Sequence, residues 1–68
     1  MIMPRYPQIQ VRMHSTNPFA LVSAVRLALR KSDIDATEIR RFSAEAMETE
    51  EPGAMRDVCA RWAEIEVS

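Results

Sequence analysis

The stretch NPFALVSAVRLALRK, residues 17–31, constrains this fold more than any other part of the chain, because it is a helix with almost no face to give to water. Asn17 offers a side-chain oxygen to the orphan amides of a helix start, and Pro18 has a fixed φ suited to the first helical position. A helix over 18–31 is predicted. Projected at about 100° per residue, Leu21, Val22, Val25, Ala28 and Leu29 form one apolar face, while Ala20, Ala24 and Leu27 form an adjoining flank. Only Ser23, Arg26 and Arg30 hold a polar side. A helix apolar over so wide an arc is packed on more than one side, so this element is expected to organise the fold. Its cover should come from the helices that follow, clasping it from both flanks, or from a second subunit.

The remainder of the chain supplies the wrapping. Pro4 and Pro7 mark residues 1–7 as an extended lead-in. In residues 8–14, Ile9, Val11 and Met13 alternate with Gln8, Gln10 and Arg12, the period of a half-buried strand. Asp35 and Glu38 stand in the relation of a capping box, with Ile34 and Ile39 spaced as a hydrophobic staple, so a second helix is predicted over 36–48. It should turn Ile39, Phe42, Ala46 and Met47 inward and Arg40, Arg41, Glu45 and Glu48 outward. After ETEEPG, Met55, Val58, Cys59 and Trp62 recur as one stripe of a short third helix, and AEIEVS alternates again as a strand. A lone strand leaves its backbone groups unpaired, so the two terminal strands are expected to pair, with Gln10 and Arg12 opposite Glu64 and Glu66. Three helices alternating in direction would make that pairing parallel. The expected architecture is one α+β domain over 1–68, strand–helix–helix–helix–strand.

At 68 residues there is no room for a second core. A chain of this size buries only about 60% of its unfolded surface, so its margin of stability is thin and the expected state is a monomer or weak homodimer. The net charge of −1 gives no field for wrapping nucleic acid. Cys59, the sole cysteine, excludes an intramolecular disulfide and suits a reducing compartment. No stretch has the length of a signal peptide's apolar region or a membrane span, so the expected location is the cytoplasm.

The residues that carry chemistry elsewhere are sparse here. Cys59 lies on an apolar stripe and reads as core, His14 ends a strand, and two such residues make neither a nucleophilic pair nor a zinc site. Gly53 is the only glycine, which excludes a glycine-rich phosphate loop. The prediction is a protein without catalytic residues, metal or cofactor. Two charged groups remain. Glu45, Glu48, Glu50, Glu51 and Asp57 gather at the turn between the second and third helices, and attraction to a basic surface is what such a turn offers. Arg26, Arg30, Lys31, Arg40 and Arg41 make a basic patch if the first two helices turn those faces the same way. Direct nucleic-acid binding is nonetheless disfavoured, since Phe19, Phe42 and Trp62 occupy apolar positions and leave only Tyr6 for base stacking.

The succession YPQIQV, NPFALVSAVRLALRK, EIRRFSAEAM and CARWAEIEVS resembles a widespread family of small uncharacterised phage, prophage and mobile-element proteins. The matching positions are Asn17, Phe19, Val25, Ala28, Leu29, Arg30, Glu38, Ile39, Phe42, Glu45, Ala46 and Trp62, across residues 6–68. Pro18 and the stretch EEPGAMRDV depart from the family pattern. The resemblance implies a protein that acts by binding host machinery, and in size and lack of catalytic residues the chain is similar to anti-CRISPR proteins. The expected function is steric inhibition of a host defence complex, a CRISPR effector, at its target-DNA or nuclease site. The expected contact residues are Glu48, Glu50 and Glu51 toward a basic channel, or Arg40 and Arg41 toward an acidic rim. The competing classes are a nucleic-acid-binding accessory protein using Arg26, Arg30, Arg40 and Arg41, and an oligomerisation module.

Overall fold

The computed structural model describes residues 3–14, 17–49 and 51–67, without the side chains of Pro52 and Val67. The order is β1 (Tyr6–Met13), α1 (Pro18–Lys31), α2 (Ala36–Glu48), α3 (Pro52–Trp62) and β2 (Ala63–Val67). This is the expected α+β arrangement, with β1 and β2 paired in parallel.

The caps explain where the helices begin and end. Asn17 Oδ1 accepts from the Phe19 amide at 3.0 Å, and Pro18 takes the first position of α1. At the other end, the Ile34 amide donates to the Leu29 carbonyl and the Asp33 amide to the Arg30 carbonyl, both at 3.1 Å. That is the two-bond C-terminal motif that normally asks for a left-handed glycine. Here the left-handed residue is Asp33, at φ 58°. Ile34 then packs against the core. Asp35 opens α2 by accepting from the Thr37 amide at 3.0 Å. The reciprocal half of the predicted capping box is not made: Glu38 gives Oε1 to Arg5, and its buried Oε2 has no hydrogen-bond partner among the described residues.

The inner face of α1 meets α2, α3 and β1. Val25, Leu29, Phe42, Val58 and Cys59 are fully buried at the centre, flanked by Ile9, Val11, Leu21, Ile39, Ala46 and Trp62. The predicted stripes hold at these positions, but on α2 Met47, expected inward, is exposed and Glu45, expected outward, is half-buried. Both following helices pack on α1, as expected, and its adjoining flank is covered in part: Ala20 and Ala24 are half-buried, while Leu27 is 54% exposed.

β1 starts two residues before the alternation suggested, so Tyr6 and Pro7 belong to the strand and not to a lead-in; Met1 and Ile2 lie outside the described residues. Tyr6 pairs with Ala63, and then the register breaks until Gln10 pairs with Glu64, Val11 with Ile65 and Arg12 with Glu66. Pro7 has no amide hydrogen to give a ladder, which accounts for an interruption at this point. The expected cross-strand pairs are present: Arg12 Nε donates to Glu66 Oε2 at 3.0 Å. Because α3 passes into β2 without a linker, the position of Trp62 is fixed from both sides.

Candidate functional site

The charged turn expected between α2 and α3 is less uniform than its sequence. Glu45 turns inward: its Oε2 accepts from Trp62 Nε1 at 2.7 Å. It therefore anchors a core aromatic and does not belong to an acidic surface. Glu48 and Glu51 are exposed, Glu50 lies outside the described residues, and Asp57 shares a shallow recess with Arg61, Thr49, Ala54 and Ala60. A carboxylate and a guanidinium one turn apart on α3 offset one another there.

Trp62 is the hub of a second polar group. Its ring is 5.7 Å from Phe42 in an edge-on contact and 6.1 Å from Tyr6. The Arg5 guanidinium lies 5.2 Å from the centre of the Trp62 ring and 5.9 Å from that of Tyr6, and pairs with Glu38. Tyr6 is thus half-buried against Trp62 and is not the free stacking platform the composition suggested. These contacts close the end of the core. Cys59 lies beneath them, and burial pushes its thiol up to about 11, so it stays protonated at neutral pH and is a poor nucleophile. His14 is exposed at the end of β1. Among the described residues, no three His, Cys, Asp or Glu side chains come together as a metal site would require. No helix among them is long and apolar enough to cross a membrane.

The outer face of α1 and α2 is organised differently. Phe19, Ser23, Arg26, Leu27 and Arg30 follow one another at i, i+4, i+7, i+8 and i+11 and so share one side of α1. Ala36, Arg40, Ser43 and Met47 do the same on α2. The two stripes meet at an open groove of about 430 Å³ lined by Arg26, Arg30, Ala36, Ile39, Arg40 and Ser43. Arg26, Arg30 and Arg40 are brought together as the basic-patch reading required. Arg41 is exposed but does not line the groove, and Lys31 lines a different one, between α1 and β1, with Gln10, Val11 and Arg12.

Four large hydrophobic side chains are exposed among the described residues: Met3 (73%), Phe19 (65%), Leu27 (54%) and Met47 (75%). Three of them, Phe19, Leu27 and Met47, lie on the stripes that border the arginine groove. Phe19 is not part of the core, because it sits in the first turn of α1, away from the buried Leu21, Val25 and Leu29. Met47 points away from the core because it projects roughly 100° from the Ile39–Phe42–Ala46 stripe. The same projection places Leu27 opposite the buried face, a signal already present in the helical wheel but obscured by the overall apolarity of α1. No acidic residue occurs anywhere in α1; on α2, Glu38 and Glu45 are committed to Arg5 and Trp62, and the exposed Glu48 projects roughly 110° from the Ala36–Arg40–Ser43–Met47 stripe. The resulting surface combines aromatic, methionine, leucine and arginine side chains without a carboxylate among them. No protein-family model, curated protein or solved structure matches this chain.

Proposed function

We propose that this chain is a non-catalytic inhibitor, encoded by a phage or mobile element, that docks on a host defence complex and blocks its access to target DNA or to a nuclease. A CRISPR effector is the target that the family resemblance suggests. The observation that carries the docking part is the grouping of Phe19, Leu27 and Met47 with Arg26, Arg30 and Arg40 on one outer face. Aromatic, Met and Arg side chains are the types enriched where protein interfaces form, and apolar anchors ringed by charge are the usual centres of binding energy. The cationic rim fits a partner whose contact surface is acidic around an apolar recess, and it orients the approach.

The test is co-purification and binding of the intact chain against a panel of purified, guide-loaded CRISPR effector complexes. Leu27→Gln and Phe19→Gln are expected to weaken the complex by roughly 30-fold each, the scale of about 2 kcal/mol for an interfacial anchor. Glu48→Lys with Glu51→Lys leaves binding within a few-fold, because the acidic turn is a different surface. Absence of binding to every member of the panel rejects the inhibitor. Loss of binding through the glutamate changes alone moves the contact to the α2–α3 turn.

A further inference from the structure

We infer that the groove between α1 and α2 is a phosphate-backbone site, in which Arg26, Arg30 and Arg40 hold phosphates of a polynucleotide. Among the described residues these three arginines make no ion pair, whereas Arg5 is paired with Glu38 and Arg12 with Glu66. Ser43, the other polar side chain lining the groove, donates its hydroxyl to the Ile39 carbonyl and so offers no negative charge. Three guanidinium groups brought to one groove repel one another unless anions enter between them. A single carboxylate neutralises only one of them; a polynucleotide supplies one phosphate per nucleotide. Arg26 and Arg30 are one turn apart, about 6 Å along α1, and Arg40 faces them from α2. A row of planar, multi-donor forks suits consecutive phosphates. The open shape of the groove also suits a strand passing through rather than a small molecule enclosed within it.

The magnitude follows from the count. Three phosphate contacts give a salt dependence of about −2 in log–log form for a single strand and −2.7 for a duplex. Affinity should therefore fall roughly 20- to 40-fold between about 50 and 200 mM salt. With a net charge of −1 the whole chain adds no long-range attraction, so the slope stays at the value set by these three residues. The same three arginines form the rim of the docking face proposed above, so a polynucleotide and an acidic protein partner compete for this surface; the test uses no effector complex and separates the two.

The experiment is fluorescence anisotropy of short labelled single-stranded DNA, single-stranded RNA and duplex DNA with the intact chain, across a salt series. Unlabelled polyglutamate of matched charge serves as competitor. Arg26→Gln, Arg30→Gln and Arg40→Gln are each expected to lower the slope by about one, and the triple variant to abolish binding. Arg41→Gln, on the same helix but outside the groove, lowers affinity by less than two-fold. Circular dichroism verifies that each variant is folded, which the exposure of these side chains favours. Duplex binding with the steeper slope, or single-strand binding with the shallower one, both support the site and identify the nucleic acid it takes. Absence of binding at low salt overturns it. So does equal weakening by Arg41→Gln, and so does displacement by polyglutamate as effective as by unlabelled oligonucleotide, which would assign the groove to an acidic protein.

Discussion

Glu45→Ala tests whether a surface carboxylate on α2 holds the core aromatic in place. The Trp62 indole is 4% exposed and donates to Glu45 Oε2 at 2.7 Å, while Tyr6, Phe42 and Arg5 surround the ring. Removing the carboxylate takes away the protein partner of the indole N–H and opens the space beside it, where solvent replaces the bond only in part. A hydrogen bond to a charged group contributes about 1.5–3 kcal/mol. Glu45 itself is half-exposed, so part of its lost interaction is replaced by solvent, and the expected cost lies near the lower end, about 1.5–2 kcal/mol. A domain of this length has a total stability of roughly 3–10 kcal/mol, so the loss is a large share of it. The midpoint of thermal unfolding, followed by far-UV circular dichroism and by fluorescence of the only tryptophan, should drop by on the order of 10 °C. Glu45→Gln keeps an acceptor without the charge and should lose less than half as much. A double-mutant cycle with Trp62→Phe isolates the pair, and its coupling energy should exceed about 1 kcal/mol. An unchanged midpoint in Glu45→Ala, or a coupling energy near zero, would show that the bond does not contribute and that Glu45 belongs to the solvent.

Three further outcomes are expected. Asp33→Gly removes a side chain from the left-handed position that ends α1, and the relief of roughly 1–2 kcal/mol exceeds the added freedom of the unfolded chain; denaturant titration should show a gain of up to about 1 kcal/mol. Cys59 has its thiol raised from 9.0 to about 11 by burial, so between those values the unfolded chain has lost its proton while the folded chain keeps it. Stability must then fall as pH rises through that window, a decline that Cys59→Ala should flatten, and alkylation of Cys59 at neutral pH should proceed only as fast as the protein opens. Arg12→Ala removes the bridge to Glu66, whose two side chains are 81% and 51% exposed, and the unfolding free energy from denaturant titration should change by less than about 0.5 kcal/mol.

Periodicity located every element because each has a single continuous buried stripe, and the caps at Asn17 and Asp35 placed the helix starts at the observed residues. What periodicity could not supply is which neighbour arrives at a given side. Glu45 and Met47 stand on opposite edges of the α2 stripe, and both edges look alike from within that helix. α3 arrives at the Glu45 edge, so the charged residue is drawn inward to Trp62 while the apolar one is left in solvent. Glu38 shows the same limit. Its spacing from Asp35 fits a local cap, but Arg5, distant in sequence, captures the carboxylate. The candidate surface was legible only in its charges. Arg26, Arg30 and Arg40 are visible in the sequence, yet their convergence depends on the packing of α1 against α2, and the exposure of Phe19, Leu27 and Met47 depends on nothing covering that side.

The division of α1 into an inner face that holds the fold and an outer face kept for a partner is tested most directly by comparing Leu29→Ala with Leu27→Gln in equilibrium denaturation. Leu29 is fully buried, and its truncation should cost about 2–5 kcal/mol, enough to unfold much of the population. Leu27→Gln exchanges residues of similar helix propensity at a site open to water, and its unfolding free energy should stay within about 0.5 kcal/mol of the parent at every protein concentration. Equal destabilisation by the two changes would mean that Leu27 already supports the folded molecule or its self-association, and the outer face of α1 would not be free to bind anything else.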